Sequence, residues 1–222
     1  MVPFRLTSAQ PLTVALAAAA VPTTLWIADG LVLRRRLKAA HRDPITGLPD
    51  RPGFTKAATR VLTRHADTAL VVFCDMAGFK AVNDQHGHDA GNQILAATGH
   101  RLAAWAGPHG VASRLYGDEF AALTRCTADQ REHLLADLHH RLHQPVRIDG
   151  QDLDIAVSIG AATPTDLDST ELSHLLRGAD VAMYEHKRER TGHYRLATRA
   201  HADAPSINGR RIGRPGTTAF AA

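Results

Sequence analysis

The sequence predicts a mixed α/β domain, a central, mainly antiparallel sheet flanked by helices, and three observations carry that prediction. "TALVVFCDM" (68–76) is a near-continuous apolar run with β-branched residues, the pattern of a central strand covered on both faces. Residues 111–116 and 119–125 read as two strands joined by a Gly117-Asp118 turn. Leu134, Leu135, Leu138 and Leu142 recur at helical spacing, one of several such stripes.

Taken in order, the chain opens with an uncharged stretch from Pro11 to Ala28 rich in Ala, Leu and Val, followed by "RRRLK". A span of about 20 apolar residues can cross a bilayer. The basic cluster after it places the C-terminal side in the cytoplasm, at the inner membrane. Residues 1–33 are therefore read as an apolar, membrane-spanning helix. Asp29, Pro22 and the small alanines weigh against that reading and leave a soluble dimerisation helix in a cytoplasmic protein as the alternative. A cleaved signal peptide would carry its basic residues before the apolar core instead. Residues 34–42 form a basic helical linker, 43–192 the α/β domain and 193–222 a basic tail without periodicity, expected to be disordered.

Within the domain, helices are expected over 52–66, 89–106, 128–143 and 169–189. The last has Leu172, Leu175, Leu176, Ala179, Ala182 and Met183 as its apolar stripe. Along 152–161, Leu153, Ile155, Val157 and Ile159 alternate as in a half-buried strand, introduced by a turn at "IDGQ". Cys74 and Cys126 match no motif spacing, and Cys74 in its apolar run reads as a buried free thiol.

The net charge of +4 is unevenly spread. Residues 34–42 carry +5 and 186–222 carry +6, whereas 43–185 hold 12 basic and 19 acidic side chains. A nucleic-acid-binding core shows the opposite distribution, so nucleic acid is set aside as a partner. The fourteen histidines are scattered. In "LHHRLH", His139 and His143 sit one helical turn apart beside solvent-type residues, which reads as a solvated face rather than a metal site.

Three carboxylates stand out. Asp75 closes the central strand, where a buried charge is costly unless a cation or hydrogen bonds offset its desolvation. Asp118 and Glu119 lie on the hairpin turn. If the hairpin flanks the central strand, all three converge at one sheet edge, as a site for Mg²⁺ (or Mn²⁺) with phosphate oxygens would require. On spacing alone a plain turn explains the pair equally well. Between these elements, "FKAVNDQHGHDAGNQIL" (79–95) has glycines at 87 and 91 leading into a helix, a loop able to present backbone N–H groups to phosphate. Asn83 and Asn92 could read a base edge, and Lys80 and Lys187 could contact phosphate.

These stretches resemble, in order, the motifs of the GGDEF family, the diguanylate cyclase domain. "DPITGLPDR" is similar to D-x-L-T-G-L-x-N-R. "DMAGFKAVNDQHGHDAGNQIL" is similar to D-x-D-x-F-K-x-x-N-D-x-x-G-H-x-x-G-D-x-x-L. "RLYGDEF" is similar to R-x-G-G-D-E-F, "VSIGAA" to the late strand and "ADVAMYEHK" to A-D-x-A-L-Y-x-A-K. The resemblance implies a palm-like fold shared with nucleotidyl cyclases, and a homodimer in which two GTP condense to cyclic di-GMP. It also implies that Asp75, the Met76 carbonyl, Asp118 and Glu119 hold the metal, with Asp118 and Glu119 catalytic. Asn83 and the residue at 92 would contact guanine, Lys80 and Lys187 the phosphates, and the 116–117 turn the nucleotide backbone.

The chain departs from the family pattern at the nucleotide. Tyr116 replaces the first glycine of the signature, where a missing side chain lets the backbone approach the nucleotide. Asn92 replaces an aspartate that accepts from guanine, and an amide both accepts and donates, so it can pair with adenine. Ala77 replaces the second aspartate of D-x-D, and "RERTGH" displaces the late phosphate arginine to Arg190. The R-x-x-D product-inhibition motif would fall at 107–110, which read "GPHG", so feedback through it is not expected. Two further readings follow: a silent nucleotide-binding or dimerisation module, and a cyclase of changed base preference.

Overall fold

The computed structural model describes residues 41–189 and 192–203. The predicted apolar helix of residues 1–33 and nearly all of the 34–42 linker lie outside the described residues. Among the described residues no helix is long and apolar enough to cross a membrane.

Helix α1 (Arg51–His65) begins where the Asp50 carboxylate accepts from the Gly53 N–H at 2.8 Å, with Pro52 in the first turn where its missing N–H costs nothing. A 3₁₀ turn (Ala66–Thr68) leads into strand β1 (Ala69–Ala77), all but the last residue of which is buried. Helix α2 (Phe79–Ala106) follows, kinked at Gly87, whose φ of 84° leaves the helical region. Here the expected loop over 79–88 is corrected. That stretch is already helical, Gly91 lies inside the second half, and only Gly87 breaks the run.

Strands β2 (Val111–Tyr116) and β3 (Glu119–Arg125) form the predicted hairpin. Helix α3 (Arg131–Leu142) precedes a small hairpin of β4 (Val146–Ile148) and β5 (Gln151–Leu153). The single strand expected over 152–161 is thus two. Beyond Asp154 and Ile155 the chain resumes as β6 (Ala156–Ala162), buried from Val157 onward on both faces rather than one.

A one-turn helix α4 (Pro164–Leu167), α5 (Leu172–Glu189), strand β7 (Arg195–Leu196) and α6 (Arg199–Asp203) complete the domain. The tail expected to be disordered from 193 is therefore structured as far as 203. β7 is too short for any periodicity to announce it.

The sheet runs β2-β3-β1-β6-β7, mixed, with three antiparallel pairings and a parallel one between β6 and β7. Alternation along β1 divides the core. Leu70, Val72, Cys74 and Met76 face α2 and α3, packing with Ile94, Leu102 and Leu138. Val71 and Phe73 face α1 and α5, packing with Phe54, Leu175 and Ala182. Each fully buried Leu, Ile or Phe contributes about 1.5–3 kcal/mol, so two such layers fasten helices to both sides of the sheet. Both cysteines are free, and burial pushes the Cys74 thiol far up, away from reactivity.

Candidate functional site

The register places the acids. Asp75 of β1 is paired with Glu119 of β3 on one side and Ser158 of β6 on the other, so three polar residues form a row across three strands. By alternation this row lies on the α1/α5 side of the sheet. Asp75 is 1% exposed and Glu119 8%, so neither is the solvated residue that a plain turn would carry. Asp118 is half-buried, and its carbonyl accepts from the Met76 N–H at 3.3 Å, which ties the turn to the end of β1.

A buried carboxylate needs a partner, and Asp75 has the Lys187 ammonium, hydrogen-bonded to Oδ1. Lys187 stands there because α5 lies directly on β6. A β-carbon on Gly160 would come within 1.9 Å of the Ala179 carbonyl oxygen and 2.3 Å of the Met183 nitrogen. Only glycine permits that approach, and it brings the last turn of α5 over Asp75.

The turn between β2 and β3 is held from below. The Arg114 guanidinium donates through Nε to the Gly117 carbonyl at 2.6 Å and through Nη1 to Asp43 at 3.2 Å. Asp43 also accepts from the Thr46 N–H and hydroxyl, each at 2.8 Å. Burial pushes its carboxyl up, but those hydrogen bonds and Arg114 outweigh it and hold the group below the usual range. Gly117 sits at φ 54°, in the left-handed region. The strand register shifts between Arg114 and Tyr116, a bulge that re-aims the side chains beside it. Tyr116 is 45% exposed, so its ring lies at the surface rather than in the packed interior.

The start of α2 contrasts with this. Lys80 is exposed and paired with Asp84 at 2.5 Å, one turn along the helix. Asn83 is half-buried, its Oδ1 only 1.9 Å from where a β-carbon on Gly91 would stand. Asn92 is exposed. Asp75, Glu119 and Lys187 are thus brought side by side and Asp118 is joined to the end of β1 through its backbone carbonyl, but the three carboxylates expected to converge do not form one group, and Lys80 is committed to its own helix.

The site's oxygens suit a hard divalent cation by type, since carboxylates and a backbone carbonyl are what Mg²⁺ takes. Among the described residues, no group of three or more His, Cys, Asp or Glu side chains stands ready to hold a metal. Completing such a site would call on the Met76 carbonyl, water or phosphate.

Sequence reasoning did not single out Asp43 and Arg114 as a pair, although both lay in quoted motifs. The face read as solvated is half-buried at His139 and His143, whose rings stack at 3.9 Å while His193 closes on His139 at 4.4 Å. A cavity of about 540 Å³ lies elsewhere, between α1 and the first turn of α5, and no predicted site residue lines it.

Comparison with known proteins adds a second line of observation. The family model described as "Diguanylate cyclase, GGDEF domain" matches residues 40–193. An uncharacterized 19.3 kDa protein of Streptomyces ambofaciens is 44% identical over 79% of this chain and 94% of its own length. The cyclic di-GMP phosphodiesterase NbdA of Pseudomonas aeruginosa is 30% identical over 67% of the chain, which spans 19% of that protein. The diguanylate cyclase TpbB of the same species is 35% identical over 71% of the chain, which spans 38% of it. The solved GGDEF domain of TpbB superposes with a TM-score of 0.66 at 32% identity, over 72% of this chain and 96% of that one.

Proposed function

Since the chain belongs to the GGDEF family, we propose that its domain binds GTP with Mg²⁺ and joins two GTP molecules into cyclic di-GMP across a pair of facing copies. The observation that carries this reading is the buried row of Asp75 and Glu119 beside Lys187, with Asp118 tied to the same strand end. In the reaction each 3′-oxygen bonds to the other nucleotide's α-phosphorus as pyrophosphate leaves. When bound, the cation neutralises the phosphate oxygens and lowers the pKa of the attacking hydroxyl.

The chain's own groups do the rest. Asp75, Asp118 and the Met76 carbonyl supply oxygen ligands. Glu119 either joins them or takes the 3′-hydroxyl proton. Lys187 neutralises Asp75 in the structure and turns to phosphate when a cation takes over that role. Lys80, released from Asp84, is the second phosphate contact. Asn83 and Asn92 face the base, and Asn92 relaxes the preference for guanine. Two copies are required because each supplies one nucleotide.

A second reading has its own observation. Tyr116 puts a phenol where the family signature has no side chain, which favours a domain that holds nucleotide without turning it over. Incubating the full chain at high concentration with GTP and Mg²⁺ separates the two. The first reading expects cyclic di-GMP, abolished by Asp118→Ala. Calorimetric binding of GTP without consumption would replace it with the second.

A further inference from the structure

Strand β6 has two edges, and only one is fully zipped to a neighbour. Its inner edge pairs with β1 from Ala156 to Ala162. On its outer edge β7 covers only Gly160 and Ala161, ending where the Ala197 N–H donates to the Ala161 carbonyl at 2.7 Å. Further down that edge the N–H groups of Ile159 and Val157 would be buried donors without a strand to receive them. Such groups are rarely left unpaired.

Two imidazoles take the place of the missing strand. The Ile159 N–H donates to His186 Nδ1 at 3.0 Å, and the Val157 N–H donates to His143 Nε2 at 3.2 Å. A ring nitrogen accepts only when it carries no proton, so the proton of each neutral ring sits on its other nitrogen. The contacts agree with that assignment. His186 Nε2 faces the Gly192 carbonyl at 3.4 Å, and His143 Nδ1 faces the His139 carbonyl at 2.8 Å. His186 therefore joins β6 to the turn that leaves α5, and it is the residue immediately before Lys187.

We propose that His186 and His143 are positioning residues that act as neutral imidazoles, completing the outer edge of β6 and holding the last turn of α5 so that Lys187 reaches Asp75. Only the link to Lys187 rests on the cyclase reading. Protonation would turn both accepting nitrogens into donors facing donors, which undoes the arrangement.

Little nearby would welcome that charge. His139 and His140 stand on α3, His143 at its C-terminal cap and His193 in the loop, and Lys187 follows His186 on α5. Glu189 is the acid, and Arg195 of β7 already pairs with it at 2.8 Å. Burial, with His143 adding to it, holds His186 below the ordinary histidine value. Burial and the neighbouring histidines take His139 to about 4.

The test is imidazole and amide NMR on the ¹⁵N-labelled full chain between pH 7.5 and 5. His186 is expected with its proton on Nε2 and His143 with its proton on Nδ1. On acidification the amide of Ile159 should lose exchange protection. His186→Ala should expose the Ile159 amide at least tenfold and weaken Mg²⁺·GTP binding. His186→Asn, whose amide can both accept and donate without titrating, should restore protection and flatten its pH dependence. The opposite tautomer in either ring, or an Ile159 amide indifferent to both acid and His186→Ala, overturns the proposal. Should His186→Ala fail to fold, the wild-type titration and His186→Asn still decide it. Should the wild type bind no GTP, the tautomers and amides decide it without reference to the cyclase reading.

Discussion

The β2–β3 turn and the start of α2 both belong to the proposed site, yet they are built in opposite ways. The turn is pinned by Arg114, Asp43 and the Met76–Asp118 hydrogen bond, with Glu119 buried in the sheet and Asp118 half-buried beside it. On α2, Lys80 and Asn92 stand in solvent, Lys80 in a surface pair with Asp84, and Asn83 is half-buried. The turn keeps G-D-E-F, and Asn92 departs from the family pattern on α2. The difference teaches that Glu119, Asp43 and Arg114 are held by the fold itself, whatever chemistry they serve. Asn92, exposed on the solvent side of α2, occupies a position that can change without disturbing the core. Tyr116 fits the same account, for it lies on the turn but with its ring at the surface.

The largest effect is expected from within the turn. Glu119→Gln keeps shape and removes charge, and cyclic di-GMP synthesis should fall by about 10²–10⁴-fold. A variant with unchanged rate would show that Glu119 is structural alone. Next comes Arg114→Ala, which strips a half-buried carboxylate of its cation and should cost about 3 kcal/mol in chemical denaturation. That loss carries a pH signature. Asp43 is held below its unfolded value of 3.8, so its stabilisation is present above that value and fades as pH falls through the lower folded one. The acid limb of the stability curve should flatten in the variant, and an unchanged limb would assign it elsewhere. Smallest is Lys80→Ala at the exposed start of α2, expected within about 0.5 kcal/mol of wild-type stability. Its effect should fall on the KM for GTP, and a marked loss of stability would erase the contrast between the two regions.

Much of this was legible in the sequence because local signals carried it. The apolar run ending in Asp75 and the turn at Gly117-Asp118 announced a central strand and a hairpin, while the pairing of β3 with β1 that sets Glu119 beside Asp75 was only a condition in the sequence. The misreadings have physical causes. Glycines at 87 and 91 suggested a loop over 79–88, yet Gly91 is there for the close approach of Asn83 and sits in regular helix. His143 and His186 gave no periodic signal, since their partners are backbone amides of β6, 14 and 27 residues away. The pairing of Lys187 with Asp75 was not legible, because nothing local reveals that Gly160 lets α5 settle over Asp75.

Product analysis of the full chain given GTP and ATP together with Mg²⁺ tests the central claim most directly. Intact acids beneath a relaxed base reader predict cyclic di-GMP accompanied by adenine-containing cyclic dinucleotides, the latter diminished in Asn92→Asp. A reaction that yields no cyclic dinucleotide from any mixture, at any protein concentration, would contradict it.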